Sequence, residues 1–161
     1  MSNPPVVNAS PLIFLSHAGL IDLLQVEGPE VCVPHAVSKE ILHRGPQDPA
    51  AAILKSTPWL RKVAPVRSSP RVLAWKLGPG ETSVLSWALD HPGTVAVIDD
   101  LEARRCAEAL ALPLIGTLGL VLRAKRLGLL PAARPVVKKL LAAGMYLSEK
   151  LVDQALALVE E

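Results

Sequence analysis

The sequence predicts an α/β fold, a three-layer α/β/α sandwich around a central, mostly parallel sheet. Three observations carry this. Short apolar, β-branched runs (Val6-Val7, Val31-Cys32-Val33, Thr94-Val95-Ala96-Val97-Ile98) alternate with longer apolar stretches at helical spacing, the pattern of a parallel sheet covered by helices. The run from Thr94 is continuous rather than alternating, which marks a strand buried on both faces. The 15 prolines fall mostly at the joints between these stretches, where a missing N–H is tolerated.

Taken in order, residues 4–10 read as a first strand centred on Val6 and Val7. Pro11 is placed to open a helix over 12–26 with a break at Gly19. Residues 30–33 form a second strand, and Pro34 opens a helix to about His43. Asp48 caps a helix over 49–55. Residues 59–66 read as an edge strand limited by Pro65. A short helix covers 70–77, Gly78-Pro79-Gly80 breaks the chain, and the next helix covers 81–89. The buried strand 94–98 precedes a helix over 102–111, a brief strand over 112–115 and a helix over 118–127. Two last helices, 135–143 and 148–160, follow, with Ser148 as the N-cap of the second. The reading is one domain over 1–161 with a helical C-terminal extension at about 131–161.

Half of the residues are hydrophobic but only 3% are aromatic, so the core is built from Ala, Leu and Val. No charge-free apolar stretch is long enough to span a bilayer, and the N-terminus lacks the pattern of a secretory signal. A cytoplasmic protein without a membrane partner is expected. Cys32 and Cys106 are too few and too far apart for a disulfide framework or zinc cluster; two buried thiols in a reducing compartment are expected. A net charge of +2 gives no support to a general nucleic-acid-coating protein, and leaves room for local basic patches.

Four polar positions stand out. Asn8 ends the first strand, with Ser10 two residues on; a turn or a cap on the next helix also accounts for them. Glu40 shares a helical side with Val33, Val37 and Ile41, and a carboxylate on an apolar edge needs a partner or an outlet to solvent. Glu81 precedes Val84 and Leu85 on another apolar stripe, in a first turn where the helix dipole alone favours an acid. Asp99-Asp100 follow the buried strand directly, where such folds bind ligands, although one of them, Asp100, also reads as a plain N-cap for the helix that follows. Carboxylates gathered together repel, and a hard, oxygen-binding cation such as Mg²⁺ or Mn²⁺ relieves that repulsion.

Val-Val-Asn8-Ala-Ser10-Pro-Leu-Ile resembles the opening motif of PIN domains. Gly80-Glu81, Ile98-Asp99-Asp100-Leu-Glu-Ala103-Arg104-Arg105 and Leu-Pro-Leu-Ile-Gly116-Thr117-Leu-Gly119 resemble a prokaryotic PIN branch of predicted nucleic-acid-binding proteins, of the DUF3368 type. The likeness continues through Gly144-Met-Tyr-Leu-Ser148 and so covers nearly the whole chain. It implies a metal-dependent ribonuclease, a hydrolase of RNA phosphodiester bonds using Mg²⁺ or Mn²⁺. It implies Glu40, Glu81, Asp99 and Asp100 as catalytic residues, and these four together with Asn8 as metal ligands. Ser10 and Thr117 are implied as auxiliary polar neighbours. Asn8 stands where most PIN domains carry the first aspartate; an amide carbonyl still binds a hard cation but brings no charge, so weaker metal affinity is expected.

Such a nuclease needs positive surface for phosphates, and Arg104, Arg105, Arg123, Lys125 and Arg126 are the nucleic-acid-binding candidates. Lys138 and Lys139 read instead as a solvated helix face, and Trp75 and Trp87 as core or interface residues. The resemblance also implies a toxin of a toxin–antitoxin pair, with RNA as substrate, an antitoxin protein as partner and a homodimer as the assembly. Two other readings compete. One is a catalytically weak or silent PIN module that binds RNA or a protein partner, which Asn8 favours. The other is a phosphoacceptor signalling domain, which lacks a suitably placed lysine after a later strand.

Overall fold

The computed structural model describes residues 3–161. Its strands β1 (Val6–Val7), β2 (Val31–Val33), β3 (Leu60–Lys62), β4 (Ala96–Val97) and β5 (Leu114–Ile115) form one all-parallel sheet in the order β3-β2-β1-β4-β5. Val6 pairs with Cys32 on one side and Ala96 on the other, and Val97 pairs with Ile115. From β1 the chain works outward to β3, then returns to place β4 on the opposite flank of β1. The order therefore reverses between β1 and β4. In open parallel sheets this switch point, beyond the carboxyl ends of the strands, is where ligands bind.

Helices flank the sheet in the expected α/β/α arrangement: α1 (Ala9–His17), a 3₁₀ helix (Ile21–Val26), α2 (His35–Leu42), α3 (Pro49–Ser56), α4 (Pro70–Leu73), α5 (Pro79–Asp90), α6 (Leu101–Ala109), α7 (Thr117–Arg126), α8 (Arg134–Ala142) and α9 (Glu149–Ala157). Val6, Val7, Val33, Val97 and Ile98 meet Leu12, Leu15, Ile41, Leu85 and Leu120 in a fully buried core. Each such side chain contributes about 1.5–3 kcal/mol on burial. Cys32 and Cys106 lie in this core unpaired, and burial pushes both thiols above their ordinary range. The last two helices pack on α7 and add Val137, Leu140 and Leu156 to the same core. Glu161 accepts from the backbone N–H groups of Ala133 and Arg134, at 2.6 and 3.0 Å, and so caps the start of α8.

Several boundaries differ from expectation for local reasons. The first helix begins at Ala9, so Pro11 sits within its first turn. The break at Gly19 is real: its φ is +71°, and the chain resumes as a 3₁₀ helix. The break expected at Gly78-Pro79-Gly80 lies between Leu73 and Gly78, the N-cap of α5; Pro79 already opens that helix, because a proline there loses only an N–H that has no helical partner. The helix expected over 70–77 ends at Leu73, with Lys76 in the left-handed region. Trp75 and Trp87 are half-buried against the core, and Trp87 stacks on His91 with ring centres 3.9 Å apart. Among the described residues no helix is long and apolar enough to cross a membrane.

Candidate active site

Asn8 leaves β1 and occupies the N-cap position of α1. An asparagine there ordinarily accepts a hydrogen bond from the first turn, but Asn8 makes no cap bond. Its Nδ2 donates instead to Glu81 Oε1 at 3.3 Å, and its Oδ1 is buried without a hydrogen-bond partner. The residue is 1% exposed, so bulk water does not make up the deficit. A buried carbonyl left open in this way costs on the order of 1–3 kcal/mol. It is an acceptor free for a cation or an ordered water.

Gly80 provides the space around it. A Cβ on Gly80 would lie 3.1 Å from Asn8 Oδ1 and 3.2 Å from Glu40 Oε2. Both oxygens thus face one gap that the missing side chain keeps open. Glu40 projects from α2, whose Val37 and Ile41 are fully buried. Desolvation first, and the negative charge of Glu81 second, push the Glu40 carboxyl above its ordinary range, against a smaller opposing pull from Arg44. Glu40 as a whole is solvent-exposed; the raised pKa reflects its carboxyl end, which lies against Gly80. Glu81 sits in the first turn of α5, where the positive end of the helix favours a carboxylate. Gly78 leaves room for it, since a Cβ there would lie 2.7 Å from Glu81 Oε2.

A second group forms where β4 and β5 end. Asp99 Oδ1 accepts from the backbone N–H of Thr117 at 2.7 Å, and Asp99 Oδ2 accepts from Thr117 Oγ1 at 2.6 Å. Thr117, the first residue of α7, is fully buried. Gly116 permits this close approach: a Cβ there would meet Arg104 Nη1 at 2.7 Å and Asp99 Oδ1 at 3.0 Å. Arg104 reaches back from α6 to donate to the Ile98 carbonyl at 3.0 Å. Asp100 has a different task. Its Oδ2 accepts from the Ala103 N–H at 2.9 Å and caps α6. The acid pair therefore divides, with Asp99 turned toward Thr117 and Asp100 toward its own helix.

The sheet brings the two groups side by side. The Asn8 N–H donates to the Val97 carbonyl at 3.0 Å, so Asn8 and Asp99 leave neighbouring strands across the switch point. The single acidic cluster expected from the sequence is thus two adjoining groups: Asn8, Glu40 and Glu81, then Asp99 with Thr117 and Arg104. Among the described residues no three His, Cys, Asp or Glu side chains form a ready-made metal group. The donors still suit a hard cation. All are oxygens, one is buried and open, and Mg²⁺ commonly takes one or two carboxylates with waters filling the rest of its shell.

Ser10 lies partly buried in the first turn of α1. Of the basic candidates, Arg104 stands at the site. Arg105 pairs with Glu102 at 2.6 Å, and Arg123 lies 3.3 Å from Glu27. Lys125 donates to the Pro131 carbonyl at 2.8 Å and lies 3.5 Å from Glu161. Arg126 is exposed at the end of α7, and Lys138 and Lys139 are exposed on α8 as expected. Two features were missed in the sequence. Gly80 makes space for Asn8 and Glu40, and Gly116 for Asp99 and Arg104; Gly80 directly before Glu81 was the one local signal, whereas Gly116 lies far from Asp99 in sequence and gave none. A cleft of about 580 Å³ runs past Glu40 and Glu81 and is lined also by His35, Lys39 and His43, whose four-residue spacing was legible.

A family model described as DUF3368, PIN domain, matches residues 4–161. Neither the curated proteins nor the solved structures yield a match. The match spans nearly the whole chain, and the five-stranded parallel sheet with its flanking helices agrees with it: the chain belongs to the PIN-domain family and has its nuclease-type fold.

Proposed function

We propose that this protein is a Mg²⁺- or Mn²⁺-dependent ribonuclease that hydrolyses RNA phosphodiester bonds. The observation that carries the reading is the open, buried Oδ1 of Asn8, which faces the gap over Gly80 together with Glu40 Oε2 and beside Glu81. In this reading Asn8, Glu40, Glu81 and Asp99 hold the cation. The bound cation supplies an activated water and stabilises developing charge on the scissile phosphate. The chain itself supplies order. Asn8 Nδ2 fixes one oxygen of Glu81, and Thr117 fixes both oxygens of Asp99, so these groups need little reorganisation during reaction. Arg104, beside Asp99, is the guanidinium that takes a phosphate oxygen. Asp100 serves catalysis only by capping α6.

The test is purified protein with single-stranded RNA in Mg²⁺ or Mn²⁺, comparing wild type with Glu81→Gln and Asp99→Asn. Cleavage by the wild type, reduced at least about a hundredfold in both variants, is expected. Equal cleavage in all three, or none by the wild type with either metal, contradicts the reading. If the protein is a toxin, its expression without an antitoxin arrests growth, and Glu81→Gln relieves the arrest. The exposed Leu151 and Leu158 of the C-terminal region support a homodimer that covers them; light scattering that finds only monomer removes that part of the proposal.

A further inference from the structure

We infer that α2 carries the phosphate backbone of the RNA strand, through a ridge formed by His35, Lys39 and His43. The inference rests on the ribonuclease reading and says from which side the strand enters. The three residues recur every fourth position and so share one helical face; His43, the C-cap, keeps helical backbone angles. All three are exposed, and all line the cleft that contains Glu40 and Glu81. Among the described residues, none of the three side chains makes a hydrogen bond or ion pair. Arg44, the next cation on this helix, is committed to Asp48 at 2.9 Å.

The other side of the site offers less. Arg105, Arg123 and Lys125 are engaged with Glu102, Glu27 and Glu161. Arg104 beside Asp99 spends Nη1 on the Ile98 carbonyl and has donors left for the scissile phosphate alone, not for a run of phosphates. Beyond it, the groove of about 770 Å³ between α7 and α9 is walled mainly by apolar residues, among them Leu114, Leu118, Leu122 and Leu158. A polyanion needs donors and positive charge without competing partners, and phosphates supply most of the sequence-independent affinity. In the cleft beside α2 the donors of His35, Lys39 and His43 are uncommitted, Lys39 supplies the charge, and the two carboxylates, Glu40 and Glu81, are those the proposed cation neutralises. One ammonium and two imidazoles lie along about two turns of helix, enough to follow successive phosphates leading to Glu40 and Glu81.

The test uses the full-length protein in EDTA, so that binding is read without cleavage, and a short fluorescein-labelled single-stranded RNA followed by anisotropy over a salt series. Lys39→Ala should weaken binding severalfold and reduce the salt slope by about 1, while Lys39→Arg should retain both. The triple variant His35→Ala, Lys39→Ala, His43→Ala should lose at least tenfold in affinity with an unchanged melting temperature. Lys138→Ala with Lys139→Ala, on a distant helix, should bind as wild type. A triple variant that binds like a cleaving wild type overturns the ridge and leaves the ribonuclease reading standing. Ridge-dependent binding without cleavage in either metal supports the ridge and removes the ribonuclease reading. A wild type that neither binds nor cleaves overturns both.

Discussion

Asn8 Nδ2 donates to Glu81 Oε1 across 3.3 Å and ties the end of β1 to the first turn of α5. The bond explains why an amide is tolerated at this position. It satisfies a donor, fixes a carboxylate and leaves Oδ1 free. Asn8→Asp replaces that bond with a like-charge contact, which destabilises the metal-free protein by about 1–3 kcal/mol. Divalent metal should then raise the melting temperature of Asn8→Asp more than that of wild type. Thermal melts in EDTA and in Mn²⁺ check both halves, and an identical metal response in the two proteins contradicts the placement of Asn8 at the cation.

Gly80→Ala separates stability from activity. The Cβ falls 3.1 and 3.2 Å from the oxygens of Asn8 and Glu40, tighter than ordinary contact. Alanine gains up to about 1 kcal/mol in helix propensity, against about 1–3 kcal/mol for overpacking. The net is therefore a destabilisation of about 0–2 kcal/mol, while the gap shared by the two oxygens closes. RNA cleavage should fall at least about tenfold at temperatures where the variant, with a melting temperature lowered by no more than about 8 °C, is still fully folded. Undiminished cleavage would show that the gap is not used.

Thr117→Val removes one hydroxyl and nearly preserves shape. Asp99 Oδ2 loses its 2.6 Å donor while Oδ1 keeps the backbone N–H. A loss of about 1–3 kcal/mol in stability is expected, with a fall in kcat larger than any change in KM, and Thr117→Ser should restore both. A variant with wild-type kcat would assign Thr117 to packing alone.

Two acids give opposite pH behaviour in the metal-free protein. The folded pKa of Glu40 is raised by desolvation and by Glu81, so the fold disfavours its charged form. The penalty is fully present above the folded pKa and fades as pH falls through it toward the ordinary value. Glu40→Gln should therefore raise the melting temperature at neutral pH and have little effect in acid. At Asp48, desolvation acts upward, but the Ala50 N–H, Arg44 and His17 outweigh it and hold the pKa below its ordinary value. Its contribution is present above the ordinary value and lost as pH falls through the folded one. Asp48→Asn should thus lower the melting temperature at neutral pH, with the difference closing in acid. Melts from acid to neutral pH read both signs.

The sheet was legible because β1, β2 and β4 are short unbroken apolar runs between proline-marked helices, and β3, Leu60–Lys62, showed the alternation of an edge strand. The site was legible as a set of positions but not as a geometry. Asp100 reads as the cap of the next helix and is one; that Asp99 turns to Thr117, on another helix, belongs to the tertiary fold. Asn8 reads as a cap in sequence, and it occupies the cap position; that the cap bond is unmade depends on Glu81, which lies 73 residues away. Gly80 reads as a helix breaker, yet it works as empty space. Arg123 reads as a free cation, and its pairing with Glu27 belongs to the tertiary fold.

The most direct test is Mn²⁺ binding itself, followed by the loss of the free-ion electron paramagnetic resonance signal on titration with wild type, Glu40→Gln and Glu81→Gln. Saturable binding to the wild type, weakened at least about tenfold in each variant, is the predicted result. No saturable binding to the wild type, or the same affinity in all three proteins, would contradict a cation held at Asn8, Glu40, Glu81 and Asp99.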